Sequence, residues 1–298
     1  MCYVADHRHG IGPSDAAQYS ACHLTDTSCS QRHFLSPEPA STALFRALDP
    51  QKLFALHDAY SVSSDVIHVW AFVLGGPPEF VARCRALLSP EERQRADRFV
   101  FEHDRIRHTV AHAVTRHLLS RCCWSTASGA VSPESLRFST TSAGKPSLQF
   151  PSAAASSIQF NLTHSEDRGL LAVSSGLELG VDLERVRSNI EALAISRHYF
   201  FGTERAAIES APPELTEPTF FRYWVAKEAV LKAQGIGLGF PLDRFRVDFL
   251  PGGDRATIET LDPERLEAGW SIRMLSCEPG WLGAVAARGD RWEIALGQ

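Results

Sequence analysis

The chain has 298 residues, 44% of them hydrophobic, and a formal net charge of −5. That length supports a sizeable core in one large or two small domains. The mild acidity argues against nucleic acid or a membrane surface as partner, and no apolar run is long enough to span a bilayer. Residues 1–7 show no apolar stretch after a basic start, so no signal peptide is read there and a cytoplasmic protein is expected. Seven scattered cysteines, an odd number, read as reduced thiols.

Residues 1–60 are rich in Ser, His, Asp, Pro and Ala without sustained periodicity, and are expected to form a flexible extension. Cys22, His23, Cys29 and His33 could be assembled into a zinc site, but their spacing fits no common finger and a polar arm is the simpler reading. An N-terminal lobe is expected over 61–176 and a C-terminal lobe over 177–298. In the first, 66–74 reads as a strand and ends at Gly75-Gly76-Pro77-Pro78. Ser89-Pro90-Glu91-Glu92 is a helix start, with Ser as N-cap and Glu at N3. Ile106, Val110, Ala113, Val114, His117 and Leu118 then stripe a second helix. Short strands follow at 136–138, 158–162 and 170–173, with turns at 142–146 and 174–176.

The second lobe opens with a strand at 180–184. Helices are expected over 190–199, 203–210 and 218–234, the last ended by Gly235. The tail reads as strands at 245–249, 256–260, 271–275, 281–287 and 292–295. The fold class is therefore α+β, in two similar lobes that each pair a few strands with one main helical region.

Two segments carry chemistry. In Gly180-Val181-Asp182-Leu183-Glu184, Asp182 and Glu184 stand at period two and leave one face of the strand. In the long helix, Trp224, Glu228 and Lys232 form an i, i+4, i+8 stripe. Three carboxylates make an all-oxygen, negative site suited to a hard cation such as Mg²⁺, with a lysine one turn beyond for a phosphate held by the same ion. The plainer readings are a solvated edge-strand pair and a surface i, i+4 pair. The apolar neighbours Val181, Leu183 and Leu231 weigh against them, because buried carboxylates need a compensating cation. Gly235-Ile236-Gly237-Leu238-Gly239 ends a helix rather than opening one, so it is not a dinucleotide loop. Phe220, Phe221 and Trp224 read as core.

These segments, with Phe160-Asn161-Leu162-Thr163-His164-Ser165, resemble the three signature motifs of Sfp-type 4′-phosphopantetheinyl transferases, in the family's order and spacing. The likeness extends to the 89–107 segment and to the 138–146 strand-turn element with Gly144-Lys145-Pro146, covering about 65–290. It implies a pseudo-dimer of two α+β lobes with the active site in the cleft between them, working as a monomer. It implies Mg²⁺, with Mn²⁺ as a substitute, and coenzyme A as the substrate whose pantetheine-side phosphate is attacked by a serine of an apo acyl or peptidyl carrier protein, as in secondary-metabolite or siderophore biosynthesis.

By that resemblance Asp182, Glu184 and Glu228 are metal ligands, and Glu228 and Lys232 are catalytic. Arg95, Arg107, Lys145, Thr163, His164 and Lys232 contact coenzyme A. On residue type alone, His164 reads first as a satisfied strand-end histidine, which its Asn161-Leu162-Thr163-His164-Ser165 context reverses, and Lys145 could equally be an exposed turn lysine. Glu92 departs from the pattern: the family commonly has a base there, so a phosphate contact would move to Arg93 or be missing. Arg98 and Arg105 are simplest as solvated helix residues. A non-catalytic binding relative and a Mg²⁺-dependent phosphohydrolase are the alternatives.

Overall fold

The structure is a computed structural model and describes residues 48–55, 59–124, 131–141, 144–149, 157–188, 190–237 and 239–297. Most of the expected extension, with the Cys22, His23, Cys29 and His33 candidates, lies outside the described residues. Its end does not behave as an arm. Asp49 caps α1 (Pro50–Phe54) by accepting from the Gln51 amide at 2.9 Å, and Leu53 and Phe54 are buried in the first lobe's core. The 60-residue extension is therefore too long, because these apolar residues find a groove to fill.

The chain continues through β1 (Val66–Val73), α2 (Pro78–Leu87) and α3 (Pro90–Asp97). α3 starts as its sequence predicts: Ser89 Oγ accepts from the Glu92 amide at 3.2 Å, and Glu92 Oε2 accepts from the Ser89 amide at 2.9 Å. α4 (Glu102–Trp124) is the long helix of this lobe. Two hairpins follow, β2 (Arg137–Thr140) with β3 (Pro146–Gln149), and β4 (Ile158–Ser165) with β5 (Arg168–Ser175). The second lobe runs β6 (Leu179–Arg185), α5 (Ala192–Tyr199), α6 (Gly202–Glu209) and α7 (Thr216–Gln234). Gly235 ends α7 at φ +72°, and its amide and that of Ile236 both donate to Leu231 O, which satisfies a terminal carbonyl. The rest is β7 (Phe245–Phe249), β8 (Arg255–Thr260), β9 (Trp270–Leu275), β10 (Trp281–Arg288) and β11 (Glu293–Leu296).

The first sheet has strand order β11-β1-β5-β4 and the second β6-β10-β9-β8-β7. α4 packs on the outer face of the first, against Trp70, Phe72, Phe160 and Leu171. α7 packs on the outer face of the second, against Ala284, Ala286 and Ile272. A third apolar cluster lies between the sheets: Ile67, Val69 and Ala71 meet Val181, Leu183 and Val285. β1 thus buries both faces, which is why it reads as nearly continuous apolar sequence.

One strand departs from expectation. β11 leaves the second lobe and pairs in parallel with β1, Val66 opposite Glu293 and Val69 opposite Leu296. Trp292, 1% exposed, anchors the crossing between the sheets. Cys84 and Cys277 are free thiols, and among the described residues no helix is long and apolar enough to cross a membrane.

Candidate active site

Period two sorts the side chains of β6. Val181 and Leu183 enter the cluster between the sheets, so Asp182 and Glu184 emerge on the face that α7 crosses. Gly180 permits that crossing, since a Cβ there would overlap the backbone of Ala229 and Ala233. β6 is an edge strand, and no backbone ladder joins it to β4, the facing edge of the first sheet. Side chains of β4 make the join instead. Asn161 Oδ1 accepts from the Val181 amide at 2.9 Å, and Thr163 Oγ1 donates to Asp182 Oδ1 at 3.1 Å. Ser165 Oγ donates to Glu184 Oε2 at 2.8 Å and accepts from the Arg185 amide at 3.3 Å. The first lobe therefore orients both acids of the second. Asn161 and Ser165 were not among the sequence candidates, although they continue the period of Thr163.

From α7, Lys232 Nζ donates to Asp182 Oδ1 at 2.5 Å and to Thr163 Oγ1 at 2.9 Å. Glu228, one turn earlier, is 5% exposed. Burial and then the charge of Asp182 raise the pKa of Glu228, and the same two causes raise that of Glu184. Burial alone would lower that of Lys232, but the Asp182, Glu228 and Glu184 carboxylates outweigh it and raise it. All three acids and the lysine thus lie in one electrostatic neighbourhood, at the junction of the lobes.

Asp182 Oδ2 and Glu228 Oε1 are buried and have no hydrogen-bond partner. Orphaned carboxylate oxygens inside a cluster of like charge are costly unless a cation joins them. Among the described residues no three His, Cys, Asp or Glu side chains are drawn tightly enough to hold a metal ion as they stand, and Lys232 supplies the compensating charge at Asp182. The donor set, all carboxylate oxygen with two atoms unsatisfied, fits a hard divalent cation.

The residues expected to contact coenzyme A divide. Thr163 and Lys232 meet at Asp182, as above. His164 lies beside them: burial, then the charges of Lys232, His112 and Arg107, lower its pKa to about 4. Arg107 is 3.5 Å from Asp104 on α4. Arg95 is nearer His108, whose pKa burial, His112 and Arg95 lower to about 3. Lys145 turns away from this group. Its Nζ donates to Leu179 O at 3.1 Å and to Ala233 O at 2.5 Å, and burial lowers its pKa to about 8.

Glu92 has a structural occupation. Besides capping α3, it accepts from Arg116 Nε at 2.7 Å and meets His112 Nδ1 at 3.1 Å. Arg93 does not stand in for a missing phosphate contact, because its guanidinium donates to Arg85 O at 3.1 Å and Ala86 O at 2.9 Å, capping the end of α2. A groove in the first lobe is lined by Phe138, Pro146, Phe160 and Leu162, with Glu92, His112 and Thr115 at its polar end.

Fold and site together define a two-lobed α+β protein with an acidic centre where the lobes meet. The model of the 4′-phosphopantetheinyl transferase superfamily matches residues 178–285, and that of the 4′-phosphopantetheinyl transferase N-terminal region matches 77–176. The chain is 32% identical over 232 residues to the 4′-phosphopantetheinyl transferase HetI of Nostoc sp., covering 77% of this chain and 91% of the relative. It is 28% identical to the transferase Sfp of Bacillus subtilis, over 69% of this chain and 84% of that one, and 31% identical to psf-1 of Bacillus pumilus, over 70% and 82%. The chain belongs to the 4′-phosphopantetheinyl transferase family. It is accordingly an enzyme that takes the phosphopantetheine group of coenzyme A to a carrier protein.

Proposed function

We propose that this enzyme transfers the arm in a Mg²⁺-dependent reaction to a serine of an apo acyl or peptidyl carrier, releasing 3′,5′-ADP. It acts as a cytoplasmic monomer, on carriers of secondary-metabolite or siderophore assembly. The observation that carries the reading is the Asp182–Glu184–Glu228 cluster, in which Asp182 and Glu228 are buried with one orphaned oxygen each, beside Lys232. A divalent cation held by these carboxylates supplies charge neutralisation to a diphosphate. Glu228 Oε1, buried without a partner, is placed to take the proton of the carrier's serine as its Oγ bonds to the pantetheine-side phosphorus. The bond from that phosphorus to the leaving 3′,5′-ADP oxygen breaks, and Lys232, steered by Thr163, holds that oxygen. His164 and Arg107 face the coenzyme's nucleotide phosphate, with Arg95 at the rim.

The test is the mass gain of a panel of apo carriers incubated with coenzyme A and Mg²⁺. Asp182→Ala and Glu228→Ala should each lose at least about 10²-fold in transfer while melting as cooperatively as the parent. Near-parental rates in either variant would remove the site assignment. Release of 3′,5′-ADP without any carrier would assign a hydrolase instead.

A further inference from the structure

The edge of β6 that faces the first lobe is completed by side chains. Asn161 serves the Val181 amide and Ser165 the Arg185 amide. The third member is Lys145, which reaches Leu179 O on the same edge, two residues before Val181. It also reaches Ala233 O, one residue after Lys232 and among the last carbonyls of α7, which have no partner within the helix. A cation there is doubly favoured, by the open carbonyl and by the negative end of the helix dipole.

We propose that Lys145 is a positioning residue that ties the start of β6 to the end of α7, and so holds Asp182 and Glu184 in place against Glu228 and Lys232, rather than a contact for coenzyme A. The inference rests on the function proposed above for the acidic cluster.

Three observations support it. Both partners of the ammonium are backbone carbonyls, one on each element that carries an acid, so the lysine spans the two halves of the site. The backbone that delivers it is closed: the Lys145 amide donates to Thr141 Oγ1 at 3.0 Å, and its carbonyl accepts from the Thr141 amide at 2.9 Å. The aliphatic stem runs past Gly235, where a Cβ would lie 3.1 Å from Lys145 Cδ and 3.3 Å from its Cβ. Gly235 thus both allows the left-handed turn after α7 and leaves room for the lysine that caps it.

The alternatives separate by kinetics and exchange. Lys145→Met should lower kcat by about 10- to 10²-fold, as small misplacements of reacting groups do, with KM for coenzyme A within about threefold of the parent. Amide exchange over residues 232–236 should quicken by roughly tenfold as the last turn of α7 loosens. Mn²⁺ binding, followed by electron paramagnetic resonance without substrate, should weaken. Lys145→Arg keeps the charge but replaces a compact ammonium with a broad planar fork that does not fit between two carbonyls, so it should resemble the Met variant.

A rise of tenfold or more in KM for coenzyme A with kcat and exchange unchanged would overturn the proposal, as would full rescue by Lys145→Arg. Should Lys145→Met fail to fold, Lys145→Arg and Lys145→Gln are read by the same criteria. Parent protein assayed with and without Mg²⁺ isolates the underlying reading: a metal-independent parent rate removes that reading, whatever Lys145 does.

Discussion

Glu92 stands where the family resemblance leads one to expect a base, and its neighbours explain the acid. It is joined to Arg116, 2% exposed, and to His112, 5% exposed, on α4, and it caps α3 from its own side. Burial alone would raise its pKa, but the hydrogen bonds and charges of His112 and Arg116 overcome that and hold it down at about 2. A folded pKa below the unfolded value of about 4.5 stabilises the protein above pH 4.5, and that gain is lost as pH falls towards 2. The full difference corresponds to roughly 3 kcal/mol at neutral pH. Glu92→Gln should lower the unfolding free energy measured by urea denaturation at pH 7 by an amount of that order, and the gap to the parent should narrow steadily between pH 4.5 and 3. A gap independent of pH would show that Glu92 acts only as a cap.

Among the elements, α7 and β6 set the geometry of the centre, and their contact is governed by a residue without a side chain. Ala229 and Ala233 cross directly over Gly180, backbone against backbone. Neither partner is a flexible side chain that can give way. Gly180→Ala should therefore cost at least about 2 kcal/mol by overpacking, and should depress transfer by lifting Glu228 from Asp182. Urea unfolding and the carrier mass assay measure the two effects, and an unperturbed variant would show that α7 is free to shift. Much of this region is legible in the sequence. Period two in Val181–Glu184 and the four-residue spacing of Trp224, Glu228 and Lys232 follow from local geometry, as do the Ser89 cap and the Gly235 stop. What the sequence conceals is long-range. Nothing local in Gly144-Lys145-Pro146 indicates that its ammonium ends on Leu179 and Ala233, and nothing near Glu92 indicates Arg116. A motif fixes which residue types are present but not which partners claim them.

At the scale of the molecule, the lobes share more than the acidic centre where they meet. The residues just before β1 belong to the first lobe's core: Leu48 bridges to Phe72, Leu53 and Phe54 are buried, and Tyr60 Oη meets His68 Nδ1 at 3.2 Å. A chain beginning at residue 61 loses all of them. Large buried side chains contribute about 2–5 kcal/mol each, so such a chain should melt about 10 °C or more below the parent. Differential scanning calorimetry tests this, and an unchanged melting temperature would mean that α1 adds nothing.

The pairing of β11 with β1 has a consequence for the order of events during synthesis. Residue 66 waits for residue 293, so a nascent chain that has already produced both long helices still carries a first sheet with one bare edge. Contacts this distant in sequence form slowly, and an unpaired edge invites strands from other chains in the meantime. The N-terminal lobe is for that reason not a module that can be cut out and grafted elsewhere, since its outermost strand is encoded beyond the whole of the other lobe.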